Sequence, residues 1–284
     1  MDQSEDSLVS LIRERSRRIR PLPTAVKERG RLPRTPCGVL FDVYGTLLAR
    51  IGSTHPNPAR MMDDVEGLIS RYRLPVTASE LEDGIQEAVA KERSARKARG
   101  NAYPEVRIEL VWSRLFPNRP QEEIRRMIVE YELACHPAWP MPGSRGLLRF
   151  LALRGLALGI VSNAQFYTPL FLRALLGANL EELGFSHSLC LYSFDIGVAK
   201  PGHQVFDLAA QRLRGVGIAA GEVVMIGNDQ RSDIVPGARS GLMTVHAALD
   251  RRSWVPARPQ EGVPRTDAVI SSMRGLQTLI EEAL

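Results

Sequence analysis

The sequence predicts an α/β protein, a parallel sheet core covered by helices on both faces and carrying an inserted α-helical cap domain. Three observations lead there. Short apolar segments alternate with segments of helical periodicity. Polar residues gather at the C-terminal ends of those apolar segments, where open α/β sheets place their sites. From about residue 51 to 139 the alternation gives way to helical patterns alone.

In chain order, residues 1–36 form a basic N-terminal extension with nine Lys and Arg against five acids. That arm holds +4 of the formal net charge of +5, so the body is nearly neutral. Leu8, Leu11, Ile12 and Ile19 suit one amphipathic helix docking on the chain's own core. No aromatic residues interleave the charges and no nucleic-acid motif follows, so a nucleic-acid partner is not expected. After the Pro-studded stretch to residue 36, CGVLFDVYGTLL reads as a buried strand ending at Asp42 and a tight turn through Gly45. LALGIVSN gives a second strand, SLCLYS near 188–193 a third and VVMIGND a fourth, while Leu242–His246 and Asp267–Ile270 are weaker candidates. Helical segments (GSRGLLRFLALRG, YTPLFLRALLG, GHQVFDLAAQRLRG and SDIVPGARSG) separate the strands, as βαβ crossovers require. The 51–139 block reads as four helices closed by HPAWPMPG, whose three prolines suit a rigid hinge. It interrupts a core made of residues 37–50 and 140–284.

Composition excludes several classes. At 44% hydrophobic and 24% charged residues the 284-residue chain is not a disordered one. No run of some 18 apolar residues exists, so a membrane span is not expected. The charged N-terminus lacks an apolar h-region, and three widely spaced cysteines form no CxxC, which points to a reduced, cytoplasmic setting.

Four strand ends carry residues able to do chemistry: Asp42, Ser162 with Asn163, Lys200, and Asn228 with Asp229 and Asp233. An acid ending an apolar strand before a Gly turn is partly buried, and a buried carboxylate needs a metal or a cation. The motifs FDVYGTLL, GIVSN, VAKPGHQVFDLA and MIGNDQRSDIVPGARSGL follow at intervals of 120, 38 and 29 residues from Asp42 to Ser162, Lys200 and Asp229. In these motifs the chain resembles the haloacid dehalogenase (HAD) superfamily over roughly residues 37–246.

The resemblance implies a Rossmann-like core with a helical cap, and a hydrolase working through an aspartyl-enzyme intermediate. Asp42 is then the nucleophile. Lys200 offsets the charge gathered at phosphorus, and the Thr46 and Ser162 hydroxyls meet phosphoryl oxygens. Asn163 and Tyr44 join Ser162 as the substrate-binding set. Asp42, Asp229 and the Tyr44 carbonyl make an all-oxygen site for Mg²⁺, with Asn228 and Asp233 in support. The expected partner is a small phosphorylated metabolite; the oligomeric state stays open. One departure bears on mechanism. Most phosphatases of this kind carry a second Asp two residues after the nucleophile as general acid and base, and here that position is Tyr44. Haloacid dehalogenases carry Tyr there, because a leaving halide needs no proton, yet they lack the paired acids of the fourth motif. The sequence thus favours a Mg²⁺-dependent phosphatase, with a metal-independent 2-haloacid dehalogenase and a HAD-fold binding protein with little turnover as alternatives.

Overall fold

The computed structural model describes residues 3–52, 57–256 and 266–284. Helix α1 (Gln3–Arg15) and a two-residue strand β1 (Arg29–Gly30) precede the first buried strand, β2 (Gly38–Phe41). A short β3 (Leu48–Arg50) leads into four helices, α2 (Pro58–Tyr72), α3 (Ala78–Ala98), α4 (Ile108–Leu115) and α5 (Gln121–Cys135). The chain returns through β4 (Ala138–Pro140), α6 (Ser144–Leu153), β5 (Ala157–Ser162), α7 (Tyr167–Leu176), β6 (Phe185–Tyr192), α8 (Ser193–Ile196) and α9 (His203–Gly215). It ends with β7 (Val223–Gly227), α10 (Val235–Arg239), β8 (Met243–Ala247), β9 (Ala268–Ile270) and α11 (Met273–Glu281).

Seven strands form one sheet in the order β1-β9-β8-β7-β2-β5-β6, parallel throughout except for β1 against β9. Strand β2 lies fully buried between β5 and β7, which is why it reads as an unbroken apolar run. Its side chains alternate between two cores. Val39 and Phe41 join the larger cluster with α7 and α11, and Leu40 joins the smaller one beneath Val205, Phe206 and Leu213 of α9. The chain leaves β2 for β5 on one side and later fills β7 on the other. The loops beyond these strands therefore diverge, and a crevice opens above the C-terminal end of β2.

The helical block emerges from a two-stranded antiparallel ribbon, β3 with β4, in which Ala49 faces Trp139. The ribbon continues the expected Pro-rich hinge, and the boundary expected at residue 139/140 falls inside its second strand. Local chemistry sets the helix starts. Asn57 caps α2 by accepting from the Arg60 N–H, with Pro58 in the first turn; Thr77 and Glu80 form a capping box on α3.

The N-terminal extension is more tightly integrated than its composition suggests. Arg29 and Gly30 add an edge strand to the core sheet. Leu8, Val9, Leu11 and Ile12 are buried, and α1 packs on both α7 and α5. Its charges follow the same division: Asp6 pairs with Arg173 of α7 at 2.7 Å, whereas Arg15 pairs with Glu130 of α5 at 3.0 Å and Arg17 with Asp64 of α2 at 2.9 Å. Elsewhere the SDIVPGARSG segment is a π-helical turn (Gln230–Ile234) running into the short α10, because Pro236 has no N–H and is tolerated only in a first turn. No helix among the described residues is long and apolar enough to cross a membrane.

Candidate active site

Asp42 is the first residue past β2, its N–H still bonded to the Ile226 carbonyl at 2.9 Å. The chain then turns sharply. Gly45 sits at φ +87°, a region other residues avoid, and a Cβ there would lie 2.6 Å from Asn228 Nδ2. That turn directs the 7%-exposed Asp42 carboxylate into the crevice. Its Oδ1 accepts from Lys200 Nζ at 2.7 Å and from Ser162 Oγ at 3.0 Å. Among the described residues its Oδ2 accepts no hydrogen bond.

Lys200 is buried and uses all three of its donors: besides Asp42, it bonds Asp233 Oδ1 at 2.6 Å and the Val161 carbonyl at 2.8 Å. Burial works against its charge, but the Asp233 and Asp42 carboxylates prevail and hold its pKa above the ordinary value. Burial also pushes the Asp233 carboxyl up to about 7, against the pull of Lys200. Both shifts leave the proton on the lysine, in keeping with the three well-placed bonds to Nζ. Asp233 reaches it because position 227 is glycine, where a Cβ would lie 2.2 Å from the Asp233 carboxylate.

The other expected residues divide. Asn163 commits both ends of its amide to the Lys200 main chain, donating to the carbonyl at 3.1 Å and accepting from the N–H at 2.7 Å, so it braces the lysine loop. Thr46 is fully buried in the turn, and its Oγ1 has no hydrogen-bond partner among the described residues. The Tyr44 hydroxyl lies 3.1 Å from Thr168 Oγ1, and the Arg50 guanidinium stacks 4.4 Å over its ring. Burial raises its pKa well above 10, so the phenol keeps its proton. Asp229 is engaged locally. Its Oδ1 accepts from the Arg231 and Ser232 N–H groups at 2.7 and 3.3 Å and its Oδ2 lies 3.3 Å from Ser232 Oγ, so the carboxylate caps its own turn. Asn228 is the fourth-motif residue that faces the nucleophile turn, its Nδ2 anchored on the Ser253 carbonyl at 2.5 Å.

A model of the haloacid dehalogenase-like hydrolase family matches residues 38–241. The chain belongs to that family. This haloacid dehalogenase-like hydrolase is 32% identical over 144 residues to the pyrimidine 5'-nucleotidase YjjG of Escherichia coli (strain K12); the match spans 50% of this chain and 56% of that protein, little more than half its length. Among solved structures it resembles a 2-haloacid dehalogenase from Pseudomonas syringae pv. Tomato, with TM-score 0.58 and 18% identity over 88% of this chain and 100% of that one. It also resembles a HAD phosphatase from Thermococcus onnurineus, with TM-score 0.51 and 22% identity over 86% and 97% of the two chains. At these identities the likeness to the solved structures is one of fold.

Mg²⁺ accepts oxygen donors and often needs only one or two carboxylates when a substrate phosphate completes its shell. No group of three His, Cys, Asp or Glu side chains among the described residues forms a metal site. The oxygens left open at the nucleophile turn are Asp42 Oδ2, the Tyr44 carbonyl, which accepts none of the turn's hydrogen bonds, and Asn228 Oδ1. Oxygens of this kind suit the ion, and the Asp229 carboxylate expected beside them is engaged by its own turn. Asp229→Ala is expected to cost about 1 kcal/mol in urea denaturation, the value of a lost helix cap.

The sequence does not foretell the Arg50–Glu132 pair beside Tyr44. Arg50 of β3 pairs with Glu132 of α5, and Glu132 also meets His136 Nδ1 at 3.1 Å. Burial disfavours the Glu132 charge, but Arg50 and His136 outweigh it and hold the carboxyl below its usual range. One signal was available: Glu132 continues the apolar stripe Ile124–Ile128 of α5 at helical spacing, and a carboxylate on a buried stripe demands a cation.

Proposed function

We propose that this hydrolase is a phosphomonoesterase: Asp42 attacks the phosphorus of a small phosphorylated metabolite, releases the alcohol, and is freed when water hydrolyses the aspartyl phosphate. The observation that carries this reading is the asymmetric state of the Asp42 carboxylate, one oxygen pinned by Lys200 and Ser162 and the other accepting no hydrogen bond among the described residues. A pinned carboxylate attacks along a fixed line, which lowers the entropic part of the barrier. Above about pH 7, where Asp233 ionises, Asp42, Asp233 and Lys200 together carry −1, so a phosphate dianion needs additional positive charge to approach. Asp42, the Tyr44 carbonyl and Asn228 would hold Mg²⁺, which when bound supplies that charge as a Lewis acid. Lys200 keeps Asp42 ionised and neutralises charge as the bond to phosphorus forms, Asp233 and Val161 hold Lys200 in place, and Thr46 offers its unpaired hydroxyl to a phosphoryl oxygen. The partial likeness to a pyrimidine 5'-nucleotidase makes nucleoside monophosphates the first substrates to try.

One observation favours a second reading, metal-independent dehalogenation: Tyr44 leaves no acid beside the nucleophile, and departing halide needs none. One panel separates the two. Phosphate release from nucleoside monophosphates and p-nitrophenyl phosphate is measured with Mg²⁺ and with EDTA, and halide release from 2-chloropropionate alongside. Phosphate release that EDTA abolishes is the expected result. Halide release that survives EDTA, with no phosphate released, would replace it with the second reading.

A further inference from the structure

The loop between α3 and α4 of the helical insertion is hydrogen-bonded to two loops of the core. On the first, the Gly197 carbonyl accepts from the Glu105 N–H at 3.1 Å and from Asn101 Nδ2 at 3.0 Å, and the Ala199 N–H donates to the Tyr103 carbonyl at 2.8 Å. On the second, the Gln165 side-chain amide donates to the Val106 carbonyl at 2.9 Å and accepts from the Ile108 N–H at 3.0 Å. These loops follow β6 and β5, and they carry Lys200 and Asn163.

Glu105 joins the two loops. Its side chain is buried, with Oε2 accepting from Ser193 Oγ at 2.6 Å and Oε1 from the Val106 N–H at 2.9 Å. Ser193, at the start of α8, is buried as well. Its single proton goes to Glu105, which leaves its oxygen to accept from the Ala164 N–H at 2.9 Å. Ala164 directly follows Asn163, and Ala199, held by Tyr103, directly precedes Lys200. Asn163 ties the two loops to one another through the Lys200 main chain, whereas Glu105 and its neighbours tie both to the insertion. A buried carboxylate is costly, and the cation paired with this one, Arg93, stands off at 4.0 Å and half in solvent. An apolar side chain would serve packing without that cost. What the carboxylate adds is a fixed direction for the Ser193 hydroxyl.

We propose that Glu105 is a positioning residue for the reaction at Asp42: from the helical insertion, and through Ser193, its carboxylate fixes the two loops that set where Lys200 meets the nucleophile. The proposal rests on the reading in which Lys200 serves Asp42, and it holds whether phosphate or halide is released. Lys200 neutralises charge as the new bond forms, so a displaced lysine weakens the transition state and leaves substrate binding nearly untouched. A displacement of about 1 Å is enough to cost about 100-fold in rate. Because the anchor comes from the insertion, the helical block and the nucleophile site are assembled together. Withdrawing the one from the core removes the hold on the other.

The test compares Glu105→Ala, Glu105→Gln and Ser193→Ala with the wild type on p-nitrophenyl phosphate, or on 2-chloropropionate should halide release prevail. Glu105→Ala is expected to lower kcat by about 10- to 100-fold and to change KM by less than about 3-fold. Glu105→Gln keeps a side-chain partner for Ser193 and should recover kcat to within about 3-fold of wild type. Ser193→Ala should match Glu105→Ala and replaces it if melting shows that variant to be unfolded. The double variant should lose no more than either single one, because both break the same path. Hydrogen exchange, measured without substrate, gives a second readout. The Ala164 and Ala199 amides should exchange about 10-fold faster in Glu105→Ala, with those of β2 and β7 unchanged. A kcat within about 2-fold of wild type, single losses that multiply in the double variant, or unchanged exchange at both amides would overturn the assignment of Glu105 and leave the chemistry at Asp42 intact. A wild-type protein that turns over neither substrate would overturn both.

Discussion

Asp42→Asn is expected to reduce turnover by about 10⁴-fold or more, the scale on which loss of a covalent nucleophile is felt. The amide has the carboxylate's shape but cannot form the ester intermediate, and it can still accept from Ser162 and Lys200 through its remaining carbonyl. Lys200 would keep its bonds to Asp233 and the Val161 carbonyl, so the cation stays paired. Melting should therefore change little. Acid-quenched protein provides the direct check: wild type should trap phosphate on Asp42 and the variant none. Residual turnover above about 1% in a carefully purified variant would require another nucleophile.

Lys200→Met is the second large effect, and it acts on stability as well as turnover. Nζ is the cation that separates two buried carboxylates, and removing one partner of a buried ion pair typically costs about 3–5 kcal/mol. The loss should depend on pH in a definite direction. Burial already places the Asp233 pKa at about 7, above its unfolded value, so the protonated form is the one the fold favours. Such a group contributes fully below its unfolded pKa and loses that contribution as pH rises through the folded one. Without Lys200 its pKa rises further, so the variant keeps losing stability above about pH 7, where the wild type levels off, and the gap between them should widen from about pH 7 to pH 9 in urea denaturation. A gap that stayed constant over that range would mean that Asp233 does not feel the lysine. Lys200→Arg should not rescue turnover, since a planar fork cannot reproduce a point charge bonded to two carboxylates and a carbonyl.

The sheet was legible in the sequence because central parallel strands are buried on both faces, so Val39–Phe41 and Val223–Ile226 read as unbroken apolar runs. Asp42, Ser162 and Lys200 were legible for a related reason: polar groups at the ends of such runs have few places to go except a shared crevice. Other features depend on contacts that no local pattern encodes. The strand at Arg29–Gly30 is two residues long and exists only because β9 presents an open edge. Whether Asp229 or Asn228 faces the nucleophile turn is decided by a π-helical turn that folds the Asp229 carboxylate back on its own N–H groups. The Arg50–Glu132 pair joins residues 82 positions apart, and Asn163 bonds a lysine loop 37 positions away.

Helix α1 makes apolar and ionic contacts with α7 on one body and α5 on the other, so it works as a splint across the joint that the β3–β4 ribbon would otherwise leave free to bend. Proteolytic nicking between Arg15 and Arg29 would loosen that splint and also the hydrogen bond from the Leu22 N–H to Asp250. Preparations differing only in their first few dozen residues should accordingly differ in how fast products escape.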